Sequence, residues 1–349
     1  MSAGRLRTIG VAAVVLLVIL VLVVAAWPWL ALAWYAATYP VTSAGETANV
    51  VVDGALAYAT LGERGFEIVD TATGAVLGTV PPPPGSESVD DLAVADRFLF
   101  VLDARPPGHL SVYSLASTPR PTLVSAPVDV PVGPFSGVAA GGGRVLVSGG
   151  TSLMTLRAYD AHGQLGPLLA TLDCGRGQPD VLLSADGRRA FVSTHRWGPY
   201  FGVTSVQVSP LLTKTGMAKL DTYGFTAGGA KPANFPLEMA LEGNALFVAD
   251  LRGLIVLAAD DLRVVARLDV GFKAVNVDVR DHVAAVVGSS PQPSLVLVDV
   301  ADPAAPRILR SIALPRGSRP TGVAIAPHHV VIAAGNRGLL RFPLNELSR

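Results

Sequence analysis

From Asn49 onward the chain alternates apolar and polar residues in short runs, a period of two that predicts half-buried β-strands. The clearest stretch is Ser294–Pro315, SLVLVDVADPAAPRILRSIALP: an apolar strand, a VD ending, a turn with Pro, and a second strand. The same frame recurs at Gly65–Val80 (GFEIVDTATGAVLGTV) and at Gly253–Val270 (GLIVLAADDLRVVARLDV). Seven equivalent strands begin at Leu56, Phe98, Val145, Arg189, Ala245, Val283 and Val330. Most follow a tight-turn signal (DG, AD, GGG, DG, EGN, RD, PHH), and an inner strand precedes each turn. A third strand follows in every copy and a fourth in six of the seven. Repeats of roughly 40–50 residues built from four short strands are the signature of propeller blades. The pattern therefore predicts an all-β, seven-bladed β-propeller over residues 47–349. Insertions at Thr194–Gly202 and Lys214–Pro236 lengthen the fourth copy, and long loops of this kind often carry function. The last copy runs to Arg349 without a fourth strand, which leaves an edge to be covered. Residues 36–46 are expected to be a linker and a possible closing strand.

The pattern changes before that point. Ile9–Ala26 carries no charge and is almost wholly Val, Leu, Ile and Ala. As a helix it would be about 27 Å long, near the thickness of a bilayer core. Trp27, Trp29, Trp34 and Tyr35 follow, suited to the membrane–water boundary. The expected partition is a cytoplasmic N-terminus at 1–8 and one transmembrane helix within an anchor segment at 9–35. Arg5 and Arg7 precede the span and no Lys or Arg follows until Arg64, which places the N-terminus inside and the propeller outside. The cell membrane, crossed once, is then the expected location. The alternative is an export signal cleaved after Ala33, at Ala31-Leu32-Ala33, which would release a secreted propeller.

Basic and acidic residues balance at 27 each, which argues against a nucleic-acid partner. Cys174 is the sole cysteine, so no internal disulfide supports the domain, and it reads as a small apolar filler.

The VDVADPAAP segment at Val298–Pro306 resembles the core of the LVIVD repeat, with Gly65–Asp70 a second match. Pro320–Ala324 and SADGRRAFVS at Ser184–Ser193 resemble the related YVTN (YncE-like) propeller repeat. The resemblance covers roughly residues 47–349 and implies a bacterial extracytoplasmic propeller presumed to bind partners. It brings no catalytic motif.

Three constellations are candidates for chemistry. Arg64, Arg105, Arg196, Arg252 and Arg337 fall in loops between second and third strands, and Arg64, Arg252 and Arg337 each precede a Gly. Guanidiniums around one rim would attract carboxylated, phosphorylated or sulfated groups. They could equally bridge to nearby acids such as Glu63, Asp103 and Asp250. At the starts of the inner strands, Asn49, Asp91, Glu238 and Asn276 share one register, with Thr47, Ser136, Asp180 and Thr321 a step outward. Such oxygen donors near a propeller axis could hold Ca²⁺, a layout similar to that of calcium-dependent lactonase and esterase propellers, or could line a water-filled channel. The third is the insertion holding His195, Arg196, Trp197, Tyr200 and Phe201, a possible hot spot for a protein or glycan or a loop packing its own aromatics. No Ser-His-Asp spacing, phosphate loop or haem-attachment motif is present.

The expected function is a non-catalytic binding scaffold for a protein or an anionic envelope glycan, with no cofactor. The alternative is a calcium-dependent hydrolase of the lactonase or esterase type.

Overall fold

The computed structural model describes residues 47–344 apart from 118, 133–135, 150–152, 175–179, 196–200, 209–211, 221–237 and 251–252. The anchor expected at 9–35 and the closing strand expected at 36–46 lie outside the described residues. Among the described residues no helix is long and apolar enough to cross a membrane.

The described chain is strand and turn arranged as seven antiparallel sheets. Blade 1 is β1 (Val50–Asp53), β2 (Leu56–Thr60), β3 (Phe66–Asp70) and β4 (Val76–Val80). Blade 2 is β5 (Asp91–Ala95), β6 (Phe98–Asp103), β7 (His109–Ser114) and β8 (Thr122–Asp129). Blade 3 is β9 (Gly137–Gly141), β10 (Arg144–Ser148), β11 (Leu153–Tyr159) and β12 (Leu165–Asp173). Blade 4 is β13 (Val181–Leu183), β14 (Arg189–His195), β15 (Phe201–Gln207) and β16 (Thr213–Lys219). Blade 5 is β17 (Met239–Glu242), β18 (Ala245–Asp250), β19 (Gly253–Ala258) and β20 (Val264–Leu268). Blade 6 is β21 (Lys273–Arg280), β22 (Val283–Ser290), β23 (Ser294–Asp299) and β24 (Arg307–Ala313). Blade 7 has three described strands, β25 (Gly322–Ile325), β26 (His329–Ala333) and β27 (Leu339–Pro343). The second strands begin within one residue of the starts that the sequence pattern gives. The VD ending also has a local cause: Asp70 Oδ1 accepts the N–H groups of Ala72 and Thr73, and Asp299 Oδ1 that of Ala301, so the Asp closes each turn.

The core is distributed between blades. One apolar cluster joins Tyr58 and Phe66 of blade 1 to Leu99 and Tyr113 of blade 2. Others join blades 2 and 3 through Phe100 and Tyr159, blades 3 and 4 through Met154 and Val192, and blades 4 and 5 through Phe191 and Ile255. Phe247 and Val286 serve blades 5 and 6, and Val50 with Leu339 close blade 1 onto blade 7. The middle strands are accordingly almost wholly buried, whereas β12, β16 and β24 are mostly exposed. Cys174 is buried in the cluster between blades 3 and 4, and burial pushes its thiol up to about 11. It is packing, not a nucleophile.

Each of the six four-stranded blades carries a β-bulge at the same place in its outer strand. Opposite consecutive residues of the third strand, one extra residue intervenes: Leu77, Val124, Leu169, Thr215, Val265 or Leu309.

The ring closes through Thr47. Its N–H donates to Gly335 O (3.1 Å) and its hydroxyl to Gly338 O (2.9 Å), which ties the lead-in to blade 1 onto the β26–β27 loop of blade 7. The up-and-down order puts the loops between second and third strands on the same side as the connections between blades. That side is the loop face; the short hairpins joining first to second strands lie opposite.

Candidate functional site

The first strand of every blade has its free edge on the central channel, where half of its backbone N–H groups lack a ladder partner. Acidic and amide side chains of the neighbouring blade meet several of them. Asp91 Oδ1 accepts the N–H of Leu92 (2.9 Å) and the Asn49 amide; Oδ2 accepts the N–H of Val138 in blade 3 (2.8 Å). Asp278 repeats the arrangement further along the channel, with Val279 (2.8 Å) and Ile325 of blade 7 (2.7 Å). Asp180 accepts the N–H of Met239 in blade 5 (2.8 Å), and Asn276 donates to Thr321 O of blade 7 (3.1 Å).

Protein surrounds these groups while part of each still faces the lumen. Burial pushes Asp91 up to about 6, against the pull of the Val138 and Leu92 N–H groups. Asp278 is pushed up to about 6 for the same reason, with the N–H groups of Ile325 and Val279 opposing. Asp180 and Glu238 share a hydrogen bond, and both lie above the usual carboxylate range, mainly through burial; the charge of Asp91 adds to both and that of Asp180 to Glu238, while the N–H of Met239 and the bond from Glu238 pull Asp180 down. Two carboxyls joined by a hydrogen bond hold a proton between them. Of the candidate calcium ligands, Asn49 and Asp91 therefore touch, Glu238 lies within electrostatic reach of Asp91 through Asp180, and Asn276 turns to the blade 6–7 seam. Among the described residues no three His, Cys, Asp or Glu side chains form a metal-binding group.

Side chains also cross every seam. Besides those named, Asp96 accepts the N–H of Gly143 (3.3 Å) and the Tyr159 hydroxyl (2.6 Å) between blades 2 and 3. Arg144 donates to Gly187 O (3.1 Å) between blades 3 and 4, and Arg189 to Ala259 O (3.3 Å) between blades 4 and 5. Glu242 accepts the His282 N–H (3.2 Å) between blades 5 and 6. Arg280 donates to Ile325 O (3.3 Å) between blades 6 and 7, and Arg341 to Thr71 O (3.1 Å) between blades 7 and 1.

On the loop face, Arg105 pairs with Glu63 (2.9 Å) and more loosely with Glu87 (3.8 Å), all three exposed. The loop beneath is ordered by buried Asp103, which accepts the N–H groups of Glu87 (2.7 Å) and Arg105 (3.0 Å). Arg64 is exposed. In the Arg-Gly pairs it is the glycine that the backbone requires. Gly65 (φ +88°) and Gly253 (φ +128°) pack so close that a Cβ would lie 1.9 Å from Val80 O and 2.2 Å from Leu268 O. Arg337 donates Nη2 to Arg316 O (3.0 Å), which brings two arginines that sequence spacing keeps apart into one patch. His195 and Phe201 pair across the β14–β15 hairpin. Arg196, Trp197, Tyr200 and Arg252 lie outside the described residues.

Sequence reasoning missed three parts of this arrangement. Asp180 lies at the same strand-start register as Asn49 and Glu238, not one step outward, since its C=O accepts the Ser193 N–H as theirs accept those of Thr60 and Ala249; Asp278 lies further along β21; and Arg316 and Arg319 sit in a blade connection. A signal for the last was present: Pro303–Asn345 holds six arginines and no Asp or Glu.

A channel ringed by seven sheets of up to four strands defines the class: the protein is a seven-bladed β-propeller. No family model matches the chain, and no curated protein is similar to it. Solved structures share the fold. The WD40 repeats of RRP9 superpose with a TM-score of 0.64 at 14% identity, covering 86% of this chain and 95% of that one. U3-55K and the hydrazine synthase of Kuenenia stuttgartiensis each give 0.63 at 14% identity, covering 86% of this chain and 96% of theirs. A WD40-repeat protein and an enzyme on one architecture show that the fold leaves function open.

Proposed function

We propose that this chain is a membrane-anchored, extracytoplasmic β-propeller of the LVIVD/YVTN kind, acting as a non-catalytic scaffold that binds a protein or an anionic envelope ligand on its loop face. One observation carries the reading. The channel side chains with chemical potential are engaged in holding blade to blade: Asp91 and Asp278 accept N–H groups on both oxygens, and Asn276 is bonded to Thr321 O. The loop face, by contrast, carries the long blade connections and a charged rim. The anchor rests on the uncharged Ile9–Ala26 run, and the orientation on Arg5 and Arg7.

The hydrolase reading keeps one observation in its favour, the closeness of Asp91, Asp180 and Glu238 in the channel. The two readings part on metal content. The full chain, purified in detergent and dialysed, is assayed by elemental mass spectrometry and screened against lactones and esters. The scaffold reading expects neither stoichiometric calcium nor turnover. Calcium near one per chain, with turnover that Asp91→Asn abolishes, would overturn it.

A further inference from the structure

We infer that blade 7 carries a binding site for a phosphate group, built by Arg316, Arg319 and Arg337 on the loop face. The site deepens the scaffold reading by giving it a ligand chemistry. Arg316 and Arg319 lie in the connection from β24 to β25, and Arg337 in the β26–β27 loop. The two segments are locked together: Arg319 N–H donates to Ala334 O (3.1 Å), and Arg337 Nη2 to Arg316 O (3.0 Å). A Cβ at Gly317 (φ +82°) would sit 3.6 Å from the Arg337 guanidinium, and one at Gly335 (φ +62°) 3.1 Å from Arg319 Cβ. Three side chains of like charge thus spring from one small patch, all exposed. Like charges so placed repel, and proteins usually intersperse acids to relieve this. Among the described residues none of the three forms an ion pair with a carboxylate, whereas Arg105 on the same face has two. Glu46, the nearest acid in sequence to Thr47 at this seam, lies outside the described residues.

Ser318, between the two connection arginines, is 3% exposed while both arginines are exposed, so the buried serine seats the connection and turns its neighbours outward. The patch also lies where the chain closes on itself, since Thr47 is bonded to Gly335 and Gly338 beside Arg337. The number of arginines selects the ligand class. A carboxylate offers two oxygens and one charge, enough for one guanidinium fork. A terminal phosphate or pyrophosphate offers three or more oxygens and about two charges, enough for three.

The test is a calorimetric titration of the full chain in detergent with inorganic pyrophosphate, and with acetate for comparison. The expected result is saturable pyrophosphate binding, weakened by added salt and absent for acetate. The Arg316→Ala/Arg319→Ala/Arg337→Ala variant should bind at least about tenfold more weakly, and Arg263→Ala, in the β19–β20 turn on the opposite face, should bind as the parent does. Circular dichroism of the triple variant checks that the ring still forms; if it does not, the single substitution Arg319→Lys, which keeps charge but loses the fork, should weaken binding by itself. No pyrophosphate binding to the parent, equal binding by the variants, or acetate binding as tightly would overturn the proposal. Failure of the scaffold reading is a separate result, seen as calcium-dependent turnover with pyrophosphate binding intact.

Discussion

Blades 1 and 2 use charge in one way, and the stretch from the outer strand of blade 6 through blade 7 uses it in the opposite way. Between Thr47 and Asp129 the chain carries ten acids and four arginines; between Pro303 and Asn345 it carries six arginines and no acid. In the early blades the carboxylates have structural partners. Asp91 holds N–H groups of two blades, buried Asp103 orders the loop beneath Arg105, and Asp96 fastens Tyr159 and Gly143. Of the rim arginines there, Arg105 is matched by Glu63 and Glu87, and Arg64 is exposed. In blade 7 the described arginine bonds run to backbone carbonyls, those of Arg316 for Arg337 and of Thr71 and Ala72 for Arg341; Arg341 also lies within electrostatic reach of Asp70, whereas Arg316, Arg319 and Arg337 form no ion pair among the described residues. The chain thus uses several of its acids for assembly and gathers Arg316, Arg319 and Arg337 in one sector of the rim.

The sharpest way to break that contrast is at Asp91. Asp91→Ala strips partners from Leu92 N–H, Val138 N–H and the Asn49 amide at once, and buried donors left unmet are costly. Urea denaturation should show a loss of about 2–3 kcal/mol. A change within error would mean that water in the channel replaces the carboxylate and that the acids are not structural.

A smaller effect is expected from pH. Asp91, Asp180 and Glu238 hold protons in the folded ring that the unfolded chain releases near its ordinary carboxylate pKa. Folded pKa values above unfolded ones make stability greatest in mild acid. It should fall as pH rises from about 4 through about 6, where Asp91 loses its proton, and continue to fall until the Asp180–Glu238 pair has ionised. The loss should be on the order of 2 kcal/mol, less than full burial would give because the lumen screens these groups. Asp180→Asn/Glu238→Gln should flatten the profile. Thermal melts across that range decide it, and melting points that rise toward neutrality would show that the cluster is ionised in the folded ring. Asp70, Asp160 and Asp186, held low chiefly by backbone or hydroxyl donors, act only at more acid pH.

The smallest effect belongs to the rim. Arg105→Ala breaks only exposed ion pairs and should leave the denaturation midpoint unchanged. A clear drop would mean that the rim charges of blade 2 are structural after all, and the contrast with blade 7 would narrow.

The blades were legible because their signals are local. Alternation, turn residues and the VD ending each act within a few residues, so the starts of the second strands could be read to within one residue. The candidate site was half legible. Register alignment located Asn49, Asp91, Glu238 and Asn276 at equivalent strand starts, because side-chain direction follows from strand phase. It could not show what Asp91 and Asp278 hold, since their partners are backbone N–H groups of the next blade and carry no sequence label. Arg316 and Arg319 lie in a blade connection, far in sequence from the loop that holds Arg337, and only the fold brings the two together. The acid-free run in the sequence was the clue to that patch.

The repeated bulge has a consequence for life among other proteins. A propeller ends each blade in an outer strand, and every such strand is a ready template for a neighbour's backbone. Here an extra residue at Leu77, Val124, Leu169, Thr215, Val265 or Leu309 breaks the even spacing of N–H and C=O groups within it. A foreign strand could match only a few residues before losing step. The same small irregularity, copied six times, shortens the backbone template offered by a wall that exposes Val76, Leu168 and Ile308 to solvent.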